Sequence, residues 1–241
     1  GAFADPTIML FLGGFVIAII ASKMGIDVQL ARILLLPFGK RSELVLLGFL
    51  LVTGVFSMFI SNTATAAMML TFMAPVLRQL PEDDKGRIGL VMAIPIGANI
   101  GGMATPVGTP PNAIALKYLN DPAGLGFNIG FGDWAMVMMP FTILLLILAW
   151  LLLIKLFPFK DKEIHLNIEG NTVKGPRLVI AYITLALTII LWLLDKFTGI
   201  NANTVAMIPI AIFCVTGLFG KEDLKEINWD VLWLVAGGFA L

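Results

Sequence analysis

Two short clusters of polar and helix-breaking residues interrupt otherwise apolar sequence, and any chemistry this chain performs has to be built from them. The first is Ser61-Asn62-Thr63, with Ser57 about one helical turn earlier. Its hydroxyl and amide groups both donate and accept hydrogen bonds without carrying charge. The second runs from Gly97 to Asn112 and holds four glycines and three prolines in sixteen residues. Each proline removes a backbone donor and each glycine costs about 1 kcal/mol relative to alanine, so a helix must stop and restart there. Thr109 stands before Pro110-Pro111, which reads as an N-cap followed by proline at the first helical position. Interrupted helices expose bare ends. Free N–H groups at a helix start attract anionic oxygens, and free carbonyls at a helix end coordinate a cation such as Na⁺.

Lipid is the solvent that the surrounding elements require. Of the 241 residues, 59% are hydrophobic and only 13% charged, with net charge zero and mean hydropathy +0.95. Such a composition lies outside the range of soluble domains, and neutrality supplies neither a basic nucleic-acid footprint nor an acidic tail. Uncharged runs cover 7–21, 44–77, 88–116, 134–154, 178–194 and 197–220, and another begins at Val231. About 20 residues cross roughly 30 Å of hydrocarbon, so these runs predict an all-α integral membrane protein. None of the six complete runs contains Asp, Glu, Lys, Arg or His. That argues against a carboxylate proton relay, favours sodium over proton coupling, and leaves no residue set for an intramembrane enzyme. His165 lies in a polar loop and reads as solvated; Cys214 sits in an apolar run and reads as packing. Residues 1–21 lack the basic start and cleavage pattern of a signal peptide, so the first run is expected to stay in the mature protein.

Orientation follows from the basic residues. Placing 23–41, 78–87, 155–177 and 221–225 in the cytoplasm collects 14 of the 16 Lys and Arg there, leaving Lys117 and Lys196 outside. Residues 24–38 are apolar but carry Asp27, Gln29 and Arg32, the pattern of an interfacial helix. The stretch 44–80 leaves one basic end and returns to another with no polar loop at its far turn. Only Ser61 to Thr65 are polar enough to turn there, either between two spans or, as the composition favours, at the tip of a re-entrant hairpin. Leu10-Phe11-Leu12-Gly13-Gly14-Phe15 aligns with Leu234-Val235-Ala236-Gly237-Gly238-Phe239 at an offset of 224 residues, with opposite predicted directions. This is the pattern of inverted repeats, and it predicts a fragment holding one repeat and the start of the next.

Together, Ser57, the Ser61-Asn62-Thr63 tip and the Thr105-to-Asn112 break resemble the divalent anion/sodium symporter family, carriers of dicarboxylates, citrate or sulfate. The resemblance implies sodium-coupled transport by an elevator mechanism in a homodimer, in the bacterial inner membrane. It implies one sodium held by Ser57, Ser61, Asn62 and the backbone of Gly108. It also implies anion contacts from Asn62, Thr63 and Thr109. Residues 44–158 would be transport domain, made of a hairpin (44–80), a broken helix (88–120) and a helix (133–158). Residues 1–23 and 178–241 would be scaffold, with 24–43 an interfacial linker and 159–177 a cytoplasmic loop. The family's second Ser-Asn-Thr hairpin does not occur in this sequence, so the chain alone is expected to be inactive. A sodium-independent exchanger of the same fold and an ion channel are the competing readings.

Overall fold

The computed structural model describes residues 5–166 and 175–240. In chain order its helices are α1 (Pro6–Lys23), α2 (Ile26–Leu35), α3 (Ser42–Ser57), α4 (Asn62–Leu77), α5 (Gly86–Gly102), α6 (Pro110–Asn120), α7 (Phe131–Leu156), α8 (Pro176–Leu193), α9 (Asp195–Thr198), α10 (Ala202–Val205), α11 (Met207–Val215) and α12 (Trp229–Ala240). Among the described residues the extended pairing is a single antiparallel bridge, Arg41 to Glu163, so the fold is all-α. Helices α1, α7 and α8 are long and apolar enough to cross a membrane. The polar loop expected at 159–177 is described only up to Leu166 and from Gly175 onward; Lys174 falls outside the described residues.

The chain forms two compact units, one of residues 1–26, 105–137 and 172–241, the other of 27–104 and 138–171. The second is built around α3, α4 and α5. Helix α3 is apolar on nearly all sides and buries Val45, Leu46, Phe49, Leu50 and Val52 in the core of this unit. Its start is pinned by the Ser42 hydroxyl, which donates to the Asp161 carbonyl at 2.6 Å, and by the Ile164 amide, which donates to the Lys40 carbonyl at 2.7 Å. Helix α4 turns Thr65, Met69, Phe72, Met73 and Val76 inward, the four-and-three spacing of one helical face. Helices α3 and α4 have 16 residues each, or about 24 Å at 1.5 Å per residue, less than the roughly 30 Å of a bilayer core. Helix α2 buries Asp27, Ala31 and Leu35 and exposes Leu30, Ile33 and Leu34, leaving an apolar face of the kind predicted for an interfacial helix.

The other unit packs α1 against α8, α10, α11 and α12. Asp5 caps α1 by accepting from the Thr7 amide at 2.9 Å, and its other oxygen pairs with Lys117 at 2.7 Å. The Lys117 ammonium also lies 3.7 Å from the ring centroid of Phe239. At the opposite end of α1, Lys23 pairs with Asp223 at 2.8 Å and donates to the Leu218 carbonyl at 2.9 Å. Phe131 stacks on the buried Trp192 with ring centroids 5.1 Å apart. The run expected at 197–220 begins later than its hydropathy suggests. Gly199 adopts a left-handed φ of +69° that ends α9, and Asn201 caps the next helix by accepting from the Asn203 amide at 2.8 Å. Helix then continues from Ala202 to Val215 with one break at Ala206.

Residues 105–137 belong to the same compact unit as the first helix and 172–241.

The carboxylates at the two ends of α1 make the stability of this unit acid-sensitive. Burial alone would raise Asp223, but the hydrogen bond from Lys23 and the Gly220 amide hold it below its ordinary value of 3.8. Its contribution is thus complete above that value and is lost as pH falls through the lowered one. The thermal stability of Asp223→Asn is expected to sit below that of the parent by a constant margin from pH 5 to 8, the margin closing below about pH 4. A margin that persists unchanged at pH 2 would rule out the ionised pair as its source.

Candidate functional site

The turn of the hairpin lies at 58–61, where the expected one was Ser61–Thr65, so it starts three residues earlier and ends four earlier. The cause is capping. The Ser61 side chain accepts from the Ala64 amide at 3.3 Å, so Ser61 sits at the N-cap of α4, and Asn62, Thr63 and Thr65 lie within the helix. The first amides of a helix have no intrahelical partner. Here Ser61 occupies the third, and those of Asn62 and Thr63 remain directed outward from the tip.

Ser57 ends α3 and is fully buried. Its hydroxyl donates to Asn62 Oδ1 at 2.7 Å, and Asn62 Nδ2 donates to Asn99 Oδ1 on α5 at 3.1 Å. The tip thus gathers three of the expected residues, Ser57, Ser61 and Asn62, within one short segment. Thr63 is exposed beside them. Thr65, one turn further, is fully buried, and its hydroxyl has no hydrogen-bond partner among the described residues.

This arrangement depends on close packing of α3 against α5. A β-carbon on Gly101 would lie 2.3 Å from both Cα and the carbonyl oxygen of Gly54, and one on Gly97 would lie 2.6 Å from the Leu50 carbonyl. The two backbones touch, as small residues allow in membrane helices. Ser57 follows Gly54 by one turn and Asn99 precedes Gly101 by two residues, so this contact sets the distance across which Asn99 reaches the tip.

The second break is present as expected: α5 ends at Gly102 and α6 starts at Pro110. Thr109 has the extended backbone of an N-cap, with φ −151° and ψ 143°, but its side chain makes no capping bond. The N-cap position and the proline that follows it are as expected, and the side-chain bond is missing for a plain reason. An N-cap side chain bonds the second or third helical amide; the second is Pro111, which has none, and the third, Asn112, donates to the Thr109 carbonyl at 3.1 Å. The same prolines leave the start of α6 with fewer free N–H groups than its place in the sequence implied. The loop before it is closed on itself. The Gly108 amide donates to Thr105 Oγ1 at 3.1 Å, and the buried Asn112 side chain donates to the Thr105 carbonyl at 2.8 Å. Gly108 is buried and Thr109 partly so; both belong to the unit of α1 and not to that of the hairpin.

Sequence reasoning missed Asn99. Its signal was a carboxamide in an apolar run two residues before Gly101-Gly102, but nothing in one sequence says which residue an amide will meet.

A cavity of about 890 Å³ lies in the unit of α1, lined by Asp5, Lys117, Asp195 and Lys196 among others. Both lysines are committed, Lys117 to Asp5 and Lys196 to Asp133, each at 2.7 Å. It therefore holds no uncommitted lysine to attract an anion.

Comparison with known proteins places these features in context. The family model described as "Citrate transporter" (CitMHS) matches residues 1–241. An uncharacterised transporter of Schizosaccharomyces pombe is 36% identical over 98% of this chain and 27% of its own length. The inorganic phosphate transporter PHO87 of Saccharomyces cerevisiae is 32% identical over 100% of this chain and 26% of its own length. The sodium-dependent dicarboxylate transporter SdcS of Staphylococcus aureus is 30% identical over 99% of this chain and 52% of its own length. The chain spans between about a quarter and about half the length of these relatives. With a family model matched over its whole length and dicarboxylate transporters among its relatives, the chain belongs to the citrate transporter family, in the divalent anion/sodium symporter group.

Proposed function

We propose that this chain supplies one binding half of an integral membrane carrier that moves small divalent anions, such as succinate, citrate or sulfate, with sodium. The observation that carries this reading is the uncharged oxygen pair at the hairpin tip, Ser57 Oγ and Asn62 Oδ1, 2.7 Å apart. Two neutral oxygens at that spacing can both turn a lone pair toward one small cation. The outward amides of Asn62 and Thr63, at the positive end of α4, suit a carboxylate beside it. Sodium and anion would then bind cooperatively, each offsetting the charge of the other where an unpaired ion costs several kcal/mol. Ser61 adds to the sodium set, while Gly108 and Thr109 are assigned to sodium and anion by family resemblance alone. The re-entrant placement of the hairpin, an elevator movement of 44–158 and a homodimer belong to the same proposal.

The test is uptake of radiolabelled succinate into proteoliposomes of the full-length protein, with and without an inward sodium gradient. Saturable uptake that needs the gradient is expected. Steady flux without saturation would instead mark a channel. The phosphate transporter among the relatives favours a second reading, carriage of inorganic phosphate, and labelled phosphate in the same vesicles distinguishes the two.

A further inference from the structure

We infer that Asn99 is a positioning residue for the cation site: it accepts from the Asn62 amide group and so holds Asn62 Oδ1 toward the ion. This rests on the sodium reading of the hairpin tip. A carboxamide presents an oxygen on one side and an NH₂ group on the other, with nearly the same shape, so packing alone does not choose which side faces a ligand. Ser57 does not choose either, because a hydroxyl donates to an amide oxygen or accepts from an amide nitrogen equally well. A cation accepts only the oxygen. When it binds, the Ser57 hydrogen that now points at Asn62 Oδ1 must turn away, and both oxygens face the ion. The Asn62 NH₂ group must then point elsewhere, and an acceptor placed there favours this orientation of the carboxamide over the flipped one. Asn99 Oδ1, 3.1 Å from Asn62 Nδ2, is that acceptor.

The contact joins the start of α4 to the last turn of α5. The carbonyl end of a helix is its negative end, so the last turn of α5 also favours a cation nearby. Asn99 is exposed, which separates this role from packing: its side chain fills no core space, and replacing it should leave stability without sodium unchanged.

The experiment is a sodium titration of the purified full-length protein in detergent, followed by thermal unfolding, with choline chloride holding ionic strength. A ligand that binds only the folded state raises its stability in proportion to the logarithm of concentration above Kd. Asn99→Leu is expected to shift the half-saturating sodium concentration up about tenfold, with the sodium-free melting temperature unchanged. Asn99→Asp, which can only accept, is expected to keep it within about threefold of the parent. In uptake assays at saturating sodium, the anion KM of Asn99→Leu should stay near that of the parent. An unshifted sodium response in Asn99→Leu, or Asn99→Asp behaving like Asn99→Leu, would overturn the inference. Asn62→Ala separates this from the underlying reading. If Asn62→Ala keeps its sodium response, the sodium site itself is wrong; if it loses the response while Asn99→Leu does not, only the role of Asn99 is wrong.

Discussion

Asn62→Ala is expected to lower sodium-dependent succinate uptake by at least about 100-fold, whereas His165→Ala leaves it unchanged. The size follows from where Asn62 stands. Its Oδ1 is the partner of the buried Ser57 hydroxyl, and in the proposed site the same oxygen faces the cation while its backbone amide faces the anion. A hydrogen bond to a charged group contributes about 1.5–3 kcal/mol, and each 1.4 kcal/mol is a factor of ten. Removing the side chain therefore removes a cation contact directly, and the cooperativity between the two ions carries the loss over to the anion. Ser57 would also be left buried with its donor unpaired. His165 supplies the contrast. It is joined to Gln79 through its backbone alone, its amide donating to Gln79 Oε1 at 2.9 Å and its carbonyl accepting from Gln79 Nε2 at 2.8 Å. Deleting the imidazole leaves both bonds intact. Uptake by Asn62→Ala at the parent rate would sink the assignment of the hairpin tip.

Gly101→Ala is expected to be the most disruptive single methyl group in the hairpin unit. The added carbon would stand 2.3 Å from Gly54 Cα and its carbonyl oxygen, where contacts below 3.0 Å are essentially never seen. Overpacking of a core costs typically about 1–3 kcal/mol when side chains can move aside. Here the obstacle is backbone, no rotamer relieves it, and a loss of about 3 kcal/mol is expected. The functional effect should exceed the loss of stability, because α3 and α5 must separate just where Ser57 and Asn99 are held to Asn62. Gly237→Ala is the control: nothing lies within 4 Å of its added carbon, and alanine is favoured over glycine in a helix by about 1 kcal/mol. Thermal unfolding of the two variants in detergent, together with uptake, decides the matter. A melting temperature for Gly101→Ala equal to that of the parent would contradict the close approach of α3 and α5.

Much of this was legible in the order of residues. The solvent, the helical class, both interruptions and the candidacy of Ser57, Ser61, Asn62 and Thr63 follow from apolar length, from proline and glycine chemistry and from the shortage of charge. These are local properties: a proline lacks its N–H wherever it stands, and a run of twenty apolar side chains partitions into lipid by itself. Part of the reason the Thr109 side chain makes no capping bond was legible too, since Pro111 has no amide to offer it. The turn was misplaced by three to four residues for a less local reason. Ser, Asn and Thr all suit a turn, and only the helix that follows shows that Ser61 caps it while Asn62 and Thr63 begin it.

What the tertiary structure alone decided is which residues meet. That Gly54 touches Gly101, that Asn62 reaches Asn99, and that residues 105–137 pack in one unit with the first helix are all matters of contact between segments distant in sequence. They are settled by how helices of similar apolarity choose among one another, and lipid-facing and protein-facing apolar residues look alike in one sequence. By itself the order of residues determined that this chain lives in a membrane with two interrupted helices; only packing could determine which oxygen is held by which neighbour, because a hydrogen bond across 37 residues depends on the ångström-scale approach of two backbones.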